Sequence, residues 1–108
     1  MNSVAFRLLL KINEKLSEAQ DFRARIVSLD RYFLLDTGTN RTLFHLSEGV
    51  VVEADINSHP PDITITTTEE ELSGIMEKRI SPMESYSKGR IKIKSSLMDK
   101  LLFSELLT

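Results

Sequence analysis

The chain has 108 residues, with 14 basic against 16 acidic side chains for a formal charge of −2, and no cysteine. The length suits one domain, residues 1–108, and folding should leave about 6,000 Å² of surface out of about 18,000 Å² in the unfolded chain, enough burial for a core without staples. Lack of cysteine excludes disulfides, thiolate metal sites and a cysteine nucleophile and fits a reducing, cytoplasmic setting, while the slightly acidic balance argues against nucleic acid as a partner.

Residues 4–12 are apolar, but Arg7 and Lys11 interrupt them and no cleavage site follows, so they do not read as a signal peptide. No stretch reaches the about 18 consecutive apolar residues of a membrane span. The expectation is a soluble, unprocessed chain. Ser3 is read as the cap of a first helix over 3–19, in which Ala5, Leu8, Leu9, Ile12, Leu16 and Ala19 recur at helical spacing. From Phe22 to Asp55 β-branched and aromatic residues are broken by turn formers. This predicts an antiparallel meander with strands at 22–28, 31–37, 41–47 and 50–55, the first two either separate or one strand bent at Leu29-Asp30.

Strict alternation in Asp62-Ile63-Thr64-Ile65-Thr66 predicts another strand. Thr68-Glu69-Glu70-Glu71 is a capping box that opens a helix with Leu72, Ile75, Met76 and Ile80 as its stripe. Ser81-Pro82-Met83-Glu84 repeats the device, and Gly89 stands where a left-handed residue ends the second helix. Arg90 to Lys94 alternate basic and isoleucine residues as a last strand. Ser96 then caps a helix in which Leu97, Leu101 and Leu102 share a stripe.

Catalytic patterns are missing. His45, inside an apolar strand, reads as a half-buried residue with a local hydrogen bond, and neither it nor His59 falls into a metal-ligand spacing. The run Glu69-Glu70-Glu71 is explained by capping and the helix dipole. The serines form no nucleophile elbow and the glycines no phosphate loop or dinucleotide fingerprint. Neither an enzyme nor a cofactor is expected. Lys88, Arg90, Lys92 and Lys94 form a basic strand in a net acidic chain. It reads either as an edge protected from aggregation or as a surface for anionic headgroups. Met76, Met83 and Met98, with Tyr86 and Phe103, suit either an ordinary core or an adaptable apolar cavity.

In its order of elements the run Asp62-Ile63-Thr64-Ile65, Ile80-Ser81-Pro82-Met83 and Gly89-Arg90-Ile91-Lys92-Ile93 resembles the sterol carrier protein family of nonspecific lipid-transfer domains. The first half agrees in architecture. Two departures are Ser95, where that family usually has a glycine, and Lys78 or Arg79 in place of a glycine before the second helix. The resemblance implies an α/β (α+β) domain whose helices cover a mixed, mostly antiparallel five-stranded sheet, with a hydrophobic tunnel between them. It also implies noncatalytic binding or transfer of fatty acid, fatty acyl-CoA, phospholipid or sterol. By this analogy the lining comprises Phe33 and Phe44 from the sheet and Leu72, Ile75 and Met76 from the first covering helix. Met83 and Tyr86 would come from the second and Leu102 and Phe103 from the last, with Lys88, Arg90, Lys92 and Lys94 meeting headgroups or an anionic membrane surface. The alternative is a module of the same fold without an open cavity, serving a partner enzyme or its own homodimer.

Overall fold

The computed structural model describes residues 2–107. Its elements are α1 (Ser3–Glu18), α2 (Gln20–Ile26), β1 (Asp30–Asp36), β2 (Arg41–Ser47), β3 (Val50–Ala54), β4 (Ile63–Thr66), α3 (Glu69–Met76), α4 (Pro82–Ser87), β5 (Lys92–Lys94) and α5 (Leu97–Leu107). The five strands form one sheet in the order β3-β2-β1-β4-β5, in which only β1 and β4 run parallel. This is the mixed, mostly antiparallel sheet with helices that the resemblance implies. The folded surface measures 6340 Å².

The expected strand at 22–28 is instead the helix α2, so the option of one bent strand also falls. Phe22 and Ile26 are four residues apart, a spacing that puts two side chains on one face of either a helix or a strand. Ala24 decides between them, since a strand would bury it beside the other two and it is exposed. Phe22 lies beneath the charged groups of Arg25 and Lys15, 5.4 and 6.0 Å from its ring centre. The cap of α1 also differs from expectation. Asn2, not Ser3, accepts the Ala5 amide at 3.0 Å, and its side-chain amide donates to Glu69, which ties α1 to the start of α3.

Register assigns every strand residue to a face. Phe33 and Leu35 share one face with Phe44, Leu46, Ile63 and Ile65, and on this face Val4, Leu8, Ile12 and Leu16 of α1 join them in the main buried cluster. The Phe33 and Phe103 rings meet edge to face, 6.1 Å between centres at 73°. Asn13 of α1 bonds both backbone groups of Val51, at 2.8 and 2.9 Å. This occupies part of the edge that β3 would otherwise leave open to pairing.

The opposite face carries Tyr32, Leu34, Leu43 and His45. Residues 55–62 connect β3 at one edge to β4 on the far side of β1, and they cross this second face, because His59 stacks on Tyr32 with 4.1 Å between centres. His45 stacks on the other side of Tyr32 at 4.2 Å, and its Nε2 lies 2.7 Å from Asp30 Oδ1. Leu34 and Leu43 are buried on this face but outside the main cluster. Asp62 closes the crossing, its carboxylate accepting the Tyr32 amide and its own amide donating to the Tyr32 carbonyl.

Helices α3 and α4 begin and end alike. Thr68 accepts the Glu71 amide at 3.1 Å and Ser81 accepts the Glu84 amide at 3.3 Å. Each stop has the same paired bonds, Arg79 and Lys78 donating to the Gly74 and Ile75 carbonyls, and Arg90 and Gly89 to those of Ser85 and Tyr86. That pattern needs a left-handed residue after the cap. Gly89 supplies it at φ +73° and Lys78 at φ +63°. The backbone thus keeps the turn that the absent glycine would have favoured.

Candidate functional site

The interior between sheet and helices is the first candidate. Phe33, Phe44, Leu72, Ile75, Leu102 and Phe103 share the buried cluster there, and Met76 packs against its margin. Met83 and Tyr86 do not join them, being 78% and 44% exposed. The reason is the short length and phase of α4. Its one buried residue is Ser85, and Met83 and Tyr86, three apart, take the outer side. The leucine stripe expected on α5 also divides, for Leu102 and Phe103 turn inward while Leu97 and Leu101 face solvent.

Ser85 escaped the sequence reading. It is fully buried, and its Oγ is the one buried side-chain polar atom with no hydrogen-bond partner among the described residues. A buried hydroxyl without a partner costs about 1–3 kcal/mol, so such a group is a marked place in an apolar interior. A serine between two exposed residues of a six-residue helix gives no sequence signal of burial.

Open space lies elsewhere. A cleft of ≈ 620 Å³ sits at the start of α3, lined by Thr68, Glu69, Glu70, Glu71, Ser73, Arg79 and Ile80. Two smaller clefts lie where α1 meets α2 and beside the ends of β2 and β3. Phe33, Phe44, Leu72, Ile75 and Phe103 line none of the three and are at most 3% exposed.

The basic segment divides in two. Lys88 pairs with Glu84 at 2.7 Å, and Arg90 pairs with Glu71 at 3.0 Å and Glu84 at 3.9 Å. The Lys88 hydrogen bond, followed by the charges of Lys88 and Arg90, holds the Glu84 carboxyl below its ordinary value. Lys88 and Arg90 are therefore compensated within the fold. Lys92 and Lys94 lie on the edge strand β5, exposed and without an ion-pair partner among the described residues. Among the described residues no group of three or more histidine, cysteine or carboxylate side chains could hold a metal ion, and no helix is long and apolar enough to cross a membrane.

No protein-family model matches the chain, and no curated protein matches it in sequence. Solved structures do. The sterol carrier protein 2 of Aedes aegypti in complex with palmitate superposes with a TM-score of 0.67 at 12% identity, covering 100% of this chain and 97% of that one. The ubiquinone synthesis protein UbiJ-SCP2 gives 0.68 at 13% identity, covering 99% and 93%. The sec-alkylsulfatase Pisa1 of Pseudomonas sp. matches 78% of this chain with a TM-score of 0.62 at 17% identity, and the match spans only 14% of that enzyme. The chain has the sterol carrier protein fold over essentially its whole length.

Proposed function

We propose that this domain is a noncatalytic cytoplasmic carrier that binds an acyl chain or a similarly elongated apolar ligand between its sheet and its covering helices. The observation that carries the reading is the end-to-end match of the fold to a carrier captured with palmitate. In this chain Phe33 of the sheet shares the buried cluster with Leu72 and Ile75 of α3 and Phe103 of α5, with Met76 at its margin. A thioether side chain there can re-pack around guests of different shape. Burying about fifteen methylenes at roughly 0.8 kcal/mol each yields on the order of 12 kcal/mol, against an association cost of roughly 4–15 kcal/mol. Apolar contact alone can supply useful affinity. Binding requires the buried side chains to part, and the Ser85 hydroxyl, the one buried side-chain polar atom without a partner among the described residues, is available to a ligand's polar end.

Titration with a fluorescent fatty acid tests this reading. One saturable site that unlabelled palmitate empties is the expected result, with affinity lowered about 3- to 10-fold by Met76→Ala, a contact worth about 1 kcal/mol. Lack of saturable binding sinks it. The near-complete burial of Phe33, Leu72 and Phe103 favours a second reading, an accessory module whose fold serves a partner protein. In that case no acyl chain binds, and purification from its source cells under mild conditions yields a stoichiometric protein complex.

A further inference from the structure

The outer face of α5 is apolar where a solvated helix should be polar. Leu97, Met98 and Leu101 are 72%, 74% and 55% exposed; Leu97 and Leu101, four apart, lie on the side away from the buried Phe103 and Leu106, and Met98 flanks them. A single exposed leucine is ordinary, but three on one face of two helical turns form a patch. The charge around it is equally uneven. Asp99 is neutralised by Arg31 at 3.0 Å and Glu105 lies 3.5 Å from Arg25. Lys92, Lys94 and Lys100 have no ion-pair partner among the described residues. Lys94 precedes Leu97 by three residues, a chain distance of at most about 11 Å, Lys92 shares its face of β5, and the half-buried Lys100 lies three residues after Leu97 on α5. An acidic protein therefore concentrates three uncompensated lysines around its apolar patch.

We propose that this surface, the outer face of α5 with Lys92, Lys94 and Lys100, docks on an anionic lipid bilayer. Its composition separates a bilayer from a protein partner. Protein interfaces favour arginine and aromatic anchors and are depleted in lysine, whereas this patch combines aliphatic side chains with lysines, and the two arginines beside it, Arg31 and Arg25, are already engaged by Asp99 and Glu105. Ammonium groups on flexible stems attract a headgroup layer without fixed geometry, and leucine and methionine enter the acyl boundary beneath it. The patch begins on the helix that also supplies Leu102 and Phe103 to the interior, so docking would act directly on an element covering the proposed acyl site. Only that last consequence rests on the carrier reading; the docking itself does not.

Sedimentation with vesicles tests the proposal, using 70:30 phosphatidylcholine:phosphatidylserine against pure phosphatidylcholine. Binding is expected to the mixed vesicles alone and to fall steeply with salt. At about fivefold per lysine, the Lys92→Gln/Lys94→Gln variant should bind about 20- to 30-fold more weakly, and Leu97→Gln/Leu101→Gln should lose at least about tenfold. Leu10→Gln alters an exposed leucine on α1 and should leave binding unchanged. Lack of binding to mixed vesicles, equal binding to both kinds, or full binding by either double variant overturns the proposal. So does a concentration-dependent self-association that Leu97→Gln/Leu101→Gln abolishes, which would make the patch a contact between copies. Fatty-acid titration of the same variants reads the interior separately, so failure at the surface and failure of the carrier reading are distinct results.

Discussion

On one face of the sheet Phe33, Phe44 and Leu46 belong to a single cluster with residues of α1, α3 and α5. On the other, Leu34 and Leu43 lie outside that cluster, and the covering is a crossing segment without regular structure, anchored where His59 stacks on Tyr32. The two faces exclude water by different means. Helices offer long stripes whose burial is cooperative, whereas a crossing segment of eight or so residues depends on a few ring contacts and on the Asp62 bonds. The helix-covered face should accordingly carry most of the stability, and the second face should open more readily.

Substitutions can break or sharpen that contrast. Phe103→Ala removes a fully buried ring from the helical side and should cost about 3–5 kcal/mol in urea unfolding; a loss near 1 kcal/mol would reverse the assignment of strength. Leu43→Ala, buried on the second face, should cost about 2–3 kcal/mol, at the low end for core leucines. His59→Ala removes one stacked ring and should cost about 0.5–1.5 kcal/mol. Faster amide exchange confined to residues 55–62 is its expected companion, and faster exchange in α1 instead would show that the crossing segment supports both faces. Val52, half exposed on the second face, should tolerate threonine within about 0.5 kcal/mol.

Legibility followed the same division. Alternation placed Ile63 and Ile65 on one face of a strand, which the structure turns toward the helices, and Thr68, Ser81 and Gly89 announced helix ends that the structure retains. Residues 20–26 were misread because Phe22 and Ile26 satisfy both periods, and only the exposure of Ala24, a tertiary fact, separates them. Met83 and Tyr86 looked like lining because methionine and tyrosine suit an interior. The phase of a six-residue helix whose one buried residue is Ser85 turned them outward. The basic run could not be divided in sequence, since Arg90 meets Glu71 nineteen residues away.

What the sequence by itself determined is local: the caps of α3 and α4 and the stop of α4, the alternating strands, the absence of catalytic and metal-binding patterns, and through element order the resemblance to sterol carrier domains; the stop of α3 at Met76, short of the Ile80 expected on its stripe, was not among them. These depend on side chains within a few residues of one another, where chain geometry leaves few choices. Tertiary structure alone decided that Arg90 is compensated by Glu71, which methionines are inside, and that a hydroxyl at Ser85 is buried without a partner. Each of those depends on groups brought together from distant parts of the chain, and burial and charge compensation exist only once they meet.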